Sequence, residues 1–201
     1  MQNEVISLFP TAVMKSTLDR KLSRKEVNFV KKNSKNIRSN LQNSTSCDNY
    51  ILENEEFVSL KEFLETQLDV YYRKVLSVDT NSKIYITQSW LNYSKPGESH
   101  HPHTHTNSFL SGVFYISTNE NDRIFFRKEK EFIHIQPTVC NVWNSDLWAL
   151  SAVEGYLYIF PSNLEHYVEK ITGSKTRISL SFNSFISGKI GAPDFLSELK
   201  I

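Results

Sequence analysis

The chain has 201 residues, of which 39% are hydrophobic, 12% aromatic and 22% charged, a size and balance suited to one globular domain with a single large core. Lys and Arg number 23 against 22 Asp and Glu, for a formal net charge of +1. No global field therefore draws the chain to nucleic acid or to an anionic membrane surface, and neither is expected as a partner.

Residues 1–15 read as an extended arm or edge strand, with Val5, Ile6, Leu8 and Phe9 ahead of Pro10. Glu4 and the shortness of this apolar stretch set it apart from a signal peptide, and no apolar run approaches the ~20 residues that cross a bilayer. DRKLSRKEVNFVKKNS, residues 19–34, predicts a modest surface helix, and the Asn- and Ser-rich NIRSNLQNSTSCDNY after it predicts a loop. Cys47 in that loop and the distant Cys140 form no CxxC pair, which fits a reducing cytosol and a cytoplasmic protein rather than a disulfide framework. From Asn54 onward, Phe57, Leu60, Leu64, Leu68, Tyr71 and Val75 recur at spacings of three and four, which predicts the clearest helix of the chain.

Beyond NSK the texture changes to short runs rich in β-branched and aromatic residues: KIYITQSWLNY, FLSGVFYIS, RIFFRK, FIHI, NVWN, GYLYIFP and TRISLSFNSF. Turn-forming clusters separate them, and the pattern predicts a sandwich or barrel of antiparallel strands. The expected organisation is an N-terminal arm and helices over 1–82 packed on a β core over 83–201, one structural domain in all. The helices offer a surface for a homodimer.

Residues 100–107, HHPHTHTN, hold four of the six histidines. Pro102 opposes helix, and in an extended segment His101, His103 and His105 share one face while His100 points the other way. Neutral imidazole is a common ligand for first-row transition metals, and two at i and i+2 can take adjacent coordination positions. The plainer alternative is a solvated His-rich loop with adventitious metal affinity. A third ligand must come from elsewhere. His134 in EFIHIQP reads as a structural strand residue, whereas His166 follows a buried-looking strand that ends in Pro161 and a turn. In KTRISLSFN, Arg177, Ser179, Ser181 and Asn183 alternate with Ile178, Leu180 and Phe182, which puts Arg177 and Ser179 together on a polar inner face. Tyr115 shares its face with Val113 and Ser111. Trp90, Trp143 and Trp148 are expected to cover the core or the barrel rim, Asn144 to Asp146 to form a turn, and the KEKE run at 128–131 to be a solvated hairpin end.

Tyr93, then His103-Thr104-His105, then GVFYIS with Tyr115, then His166, then Arg177-Ile178-Ser179 follow one another in an order that resembles the 2-oxoglutarate- and iron(II)-dependent oxygenases. The likeness is to the prolyl-hydroxylase-like branch and to a group of short oxygenases found in bacteria and phages, and it spans roughly residues 83–187. The resemblance implies a mainly β chain with N-terminal helices and a double-stranded β-helix (jelly-roll, cupin-like) core. It further implies Fe(II) held by His103, His105 and His166 as catalytic and metal-ligating residues. 2-Oxoglutarate would be the co-substrate, held by Arg177 and Ser179 with Tyr115 and Tyr93. O2 and an unidentified substrate complete the expected partners, and hydroxylation with release of succinate and CO2 is the expected reaction. The departure is His105, where the family has Asp; His101 stays open as its substitute. Two other readings stand beside this one: a cupin-like three-histidine metalloprotein that does not use 2-oxoglutarate, and a non-catalytic binding module.

Overall fold

The computed structural model describes residues 3–79, 81–128 and 136–201. His134, the FIHI run and all but the first residue of the KEKE run lie outside these described residues.

A short strand, β1 (Met14–Thr17), leads to α1 (Arg24–Asn33), whose start is fixed by a capping box: the Glu26 amide donates to Ser23 Oγ, and the Ser23 amide donates back to the Glu26 carboxylate. Arg20 also donates to both oxygens of that buried carboxylate, at 2.7 and 2.8 Å. Burial pushes the Glu26 carboxyl up, yet these hydrogen bonds outweigh it and hold the group below its usual range.

The Asn- and Ser-rich stretch expected as a loop instead contains a hairpin, β2 (Ile37–Ser39) and β3 (Ser44–Ser46). Two 3-10 turns, Ile51–Glu53 and Glu55–Phe57, lead into α2 (Val58–Val70). The predicted stripe is buried at Phe57, Leu60, Leu64, Leu68 and Tyr71, but Val75 is exposed. The last turn, Tyr71–Val75, is π-helical, and its wider winding rotates Val75 off the stripe. No helix among the described residues is long and apolar enough to cross a membrane.

The strands that follow are β4 (Ser82–Ser94), β5 (His100–His103), β6 (Leu110–Ser117), β7 (Arg123–Arg127), β8 (Leu147–Ser151), β9 (Tyr156–Pro161), β10 (Glu165–Val168), β11 (Arg177–Ile190) and β12 (Leu199–Lys200). NVWN, expected as a strand, falls in a turn, because Asn141 and Asn144 close it through side-chain bonds to backbone amides and a carbonyl; the strand comes later, at β8. The larger sheet runs β1-β9-β6-β11-β4-β3-β2 with β12 paired to β11, and the smaller runs β5-β10-β7-β8. All their pairings are antiparallel.

Alternation along the larger sheet divides the interior in two. Leu91, Tyr93, Phe114, Leu157, Ile159, Leu180 and Phe182 pack with the helical residues Val30, Leu60, Leu64 and Leu68. On the opposite face Val113, Tyr115, Tyr158 and Phe160 meet Ile124 and Phe126 of the smaller sheet. The two sheets thus face one another as the expected mainly β jelly-roll, with helices on the outer face of the larger sheet.

Gly112 marks the closest approach inside this packing. A Cβ there would lie 2.2 Å from the Phe182 ring, which occupies the missing side chain's place across the β6–β11 pair. Phe182 is fully buried and has no room to swing away. Gly112→Ala is expected to cost about 1–3 kcal/mol, as overpacking of a dense core does; a denaturant titration showing an unchanged midpoint would refute the close packing.

Candidate metal centre

The site is assembled from both sheets. β4 and β11 pair so that Ser94 faces Arg177, Asn92 faces Ser179 and Trp90 faces Ser181, while β6 sets Tyr115 against Ser179 and Val113 against Ser181. These side chains share the inner face. Asn92 donates to Ser181 Oγ at 2.9 Å and accepts from Trp90 Nε1 at 3.2 Å, which ties β4 and β11 into one polar wall.

The smaller sheet supplies imidazoles. His103 stands opposite His166 in the β5–β10 pair. Two residues further on β10, Val168 is matched by His100, three residues back on β5. The additional residue is a bulge, and it reverses the alternation expected from sequence. His100 turns inward beside His103, with their rings stacked at 4.4 Å, rather than pointing the other way. His100 lines the cavity, whereas His101 does not.

His105 completes the cluster from just past β5. Its backbone amide donates to the Ser162 carbonyl at 2.9 Å, and its ring lies 5.9 Å from that of Trp90. Potential ligand atoms of His103, His105 and His166 all fall within 4.8 Å of one another. His101, left open as a substitute for His105, is not in this set.

The ring orientations are those of metal ligands. Nδ1 of His103 is 2.8 Å from the His101 carbonyl and Nδ1 of His166 is 2.9 Å from the Leu164 carbonyl. Each bond places the ring proton on Nδ1 and leaves Nε2 with a free lone pair, the tautomer that ligating histidines adopt. Nε2 of His105 and Nε2 of His166 are 3.3 Å apart. Two nitrogens each ~2.1 Å from one metal at adjacent octahedral positions would be ~3.0 Å apart, so the spacing fits a shared cation.

Burial, reinforced by neighbouring imidazoles, pushes His105 down to about 4 and His166 to about 3. His103 is lowered chiefly by burial as well. All three rings are thus neutral near pH 7 and carry their lone pairs into the site. Among the described residues, no Asp or Glu lines the cavity.

Residues 88–183 match the family described as "Putative 2OG-Fe(II) oxygenase". This segment of the β core is similar to the 2-oxoglutarate- and iron(II)-dependent oxygenases. Solved structures agree in fold. A Pseudomonas putida prolyl-4-hydroxylase superposes with a TM-score of 0.57 at 10% identity, over 86% of this chain and 92% of that one. A non-heme alpha-ketoglutarate-dependent epimerase, SnoN, from nogalamycin biosynthesis gives 0.60 at 10% identity, over 94% and 85%. HygX from Streptomyces hygroscopicus, solved with nickel, 2-oxoglutarate and hygromycin B, gives 0.54 at 10% identity, over 87% and 82%. A comparison with curated proteins gave no match.

The residues expected from the sequence to hold the co-substrate divide in two. Arg177 is only 4% exposed and its Nε has no hydrogen-bond partner among the described residues; the buried hydroxyl of Tyr115 makes no well-formed hydrogen bond among them either, its polar neighbour being the Arg177 guanidinium. The guanidinium lies over the Tyr115 ring, 5.2 Å from its centroid. Burial raises the Tyr115 phenol to about 12, so it stays protonated and able to donate. A buried unsatisfied donor, with no acid beside it among the described cavity residues, is what a bound carboxylate would complete. Ser179 lies on the same face, between Arg177 and Ser181.

Tyr93 is a correction. It pairs with Ile178, not with the inward residues, and its side chain enters the core beneath the helices, where its hydroxyl donates to the Val30 carbonyl at 3.0 Å. Strand parity, applied to β4 together with β11, carries the signal that spacing to His103 missed. Trp90, expected to cover the core or the barrel rim, is part of the cavity wall, and so is Asn43 from the unforeseen hairpin.

Proposed function

We propose that the chain is a 2-oxoglutarate- and iron(II)-dependent dioxygenase that hydroxylates a substrate while 2-oxoglutarate is converted to succinate and CO2. One observation carries this reading. Three neutral imidazoles from two separated segments converge in a cavity that no Asp or Glu lines among the described residues, and that Arg177, packed over Tyr115, also lines with an unsatisfied donor.

His103, His105 and His166 would hold the metal through one face, leaving the opposite face open. The metal, once bound, supplies the activation of oxygen that drives the decarboxylation and the C–H oxidation. The chain's own contribution is to bind and to orient. Arg177 and Tyr115 hold the distal carboxylate with charge-assisted hydrogen bonds, and Ser179 adds a third polar group beside them. The backbone bonds to His103 and His166 fix both rings against rotation. Val113, Ile124 and Phe160 close the cavity with apolar surface and keep bulk water out.

Replacing the family's Asp by His105 removes the one anionic ligand, so the centre keeps more positive charge and its preference moves toward metals that favour nitrogen donors. That feature also favours a second reading, a three-histidine metalloprotein that does not use 2-oxoglutarate. Anaerobic titration separates them: with purified protein, a weak visible absorption band is expected only when both iron(II) and 2-oxoglutarate are present. Metal uptake with no response to 2-oxoglutarate would favour the second reading, and no stoichiometric metal uptake would leave a non-catalytic binding module.

A further inference from the structure

Trp90 belongs to two cavities at once. It lines the metal site, where its ring lies 5.9 Å from that of His105, and it lines a second cavity of about 380 Å³. Arg38, Asn40, Thr45, Asn49 and Gln88 stand around this second cavity with it. The row Arg38–Thr45–Asn92–Ser179 crosses β2, β3, β4 and β11 in register, so Arg38 and Thr45 share the face that carries Arg177 and the polar wall. Gln88 is on that face as well, two residues before Trp90 and opposite Asn183. The second cavity therefore adjoins the metal site along one continuous face of the larger sheet.

Its chemistry departs from that of most small-molecule sites, which are lined mainly by apolar side chains. Apart from Trp90, every described lining residue is polar, and none of them is an acid. Arg38 Nε donates to Thr45 Oγ1 at 3.3 Å and Nη2 to Asn49 Oδ1 at 2.7 Å, which folds the guanidinium back over β3, about one strand spacing (~5 Å) from β4. Both bonds go to neutral oxygens, so the charge of Arg38 meets no carboxylate among the described residues. Asn49 is held by its oxygen, which leaves its amide nitrogen to donate. Gln88 is exposed, and its amide offers a donor and an acceptor together.

Each of these groups selects a different part of one ligand. Side-chain amides match hydroxyl groups, which both donate and accept. The indole, fixed through Nε1 to Asn92 at 3.2 Å, offers a flat apolar face to the C–H groups of a ring. The guanidinium takes a carboxylate or a phosphate in paired, charge-assisted bonds. The volume lies near the lower end of the roughly 300–1,000 Å³ of small-molecule sites, which suits a single sugar ring with its substituent.

We infer that the second cavity holds the part of the substrate that is not oxidised, and that this substrate is a small polyhydroxylated molecule bearing an anionic group, a sugar acid or a sugar phosphate. This deepens the oxygenase reading and rests on it. Arg38 holds the anion, Asn49 and Gln88 bond the hydroxyls, and Trp90 carries the ring between them and the metal. Arg38 is thus the residue that sets the sign of charge the site accepts.

The test uses the full chain with iron(II) and saturating 2-oxoglutarate under argon. Glucuronate, glucose 6-phosphate, glucose and glucosamine, which share one ring and differ in charge, are titrated calorimetrically into wild type, Arg38→Gln, Arg38→Lys and Arg38→Glu. Melting temperatures are measured for each protein, and the visible band that needs both iron(II) and 2-oxoglutarate is recorded for the wild type. The expected result is that an anionic sugar binds the wild type about tenfold more tightly than glucose, as one hydrogen-bonded charge pair implies, with glucosamine weakest. The preference should vanish in Arg38→Gln, persist in part in Arg38→Lys and turn toward glucosamine in Arg38→Glu. Tighter glucuronate identifies a sugar acid, and tighter glucose 6-phosphate a sugar phosphate. If neither anionic sugar binds better than glucose, or the preference survives in a folded Arg38→Gln, the anion site is overturned, and a wild-type band leaves the oxygenase standing. If no band forms while the Arg38-dependent preference remains, the anion site stands and the oxygenase reading falls.

Discussion

His166→Ala is expected to lower iron(II) affinity more than a hundredfold and to abolish turnover of 2-oxoglutarate. Changes to the groups that merely orient a ligand cost about 10- to 100-fold in metal affinity, and this substitution removes a ligand together with its orienting bond to Leu164. The three rings lie against one another, His166 at 4.3 Å from His103 and 5.1 Å from His105, and His103 at 5.1 Å from His105, so the loss of His166 leaves a pair without a third side. His105→Asp is the informative contrast. It restores the carboxylate found in the family pattern at the same place, and iron(II) uptake should survive. Equilibrium dialysis with metal analysis reads both variants. Wild-type affinity in His166→Ala would mean that the three imidazoles do not share one cation.

Arg177→Leu is expected to weaken 2-oxoglutarate binding by about two orders of magnitude or more while leaving the unliganded fold as stable as before, or more so. The two effects have one origin. The guanidinium is buried, and among the described residues its Nε lacks an acceptor and no carboxylate lines the cavity around it. A buried charge in that condition opposes folding, and an apolar group of similar reach removes the penalty. Once a dicarboxylate is present, the same guanidinium gains charge-assisted bonds of ~1.5–3 kcal/mol each, and two of them account for the predicted loss of affinity. Thermal unfolding with and without 2-oxoglutarate and iron(II) shows both: the wild type should gain melting temperature on addition, and Arg177→Leu should not. A large destabilisation of the unliganded variant would show instead that Arg177 is a structural side chain.

Much of this architecture was legible because its signals are local. The α2 stripe announces itself at helical spacing, and the alternation of Arg177, Ser179 and Ser181 with Ile178, Leu180 and Phe182 is sorted by the structure as the pattern predicts, with Leu180 and Phe182 entering the core under the helices. His103 and His166 could be paired in advance through the family resemblance. What escaped depended on contacts made elsewhere. The hairpin β2–β3 has few apolar residues, and it is a hairpin because β4 offers an edge and Ser99 two hydrogen bonds. His100 faces inward because of a bulge that no alternation rule foresees. Val75 leaves its stripe because the helix widens at its last turn.

The sorting of β4 and β11 has a bearing on which length changes the gene could tolerate. A single inserted or deleted codon between Arg177 and Asn183 would exchange the two sides of the strand, sending Arg177 toward the helices and an isoleucine or leucine toward the metal. Past Asn183 the pairing with β4 already absorbs an irregularity before it resumes at Ser184–Ile86. Gains and losses of one residue should therefore accumulate on the distal half of this strand and be purged from the stretch Ser179 to Asn183, where the pairing with both neighbours runs unbroken.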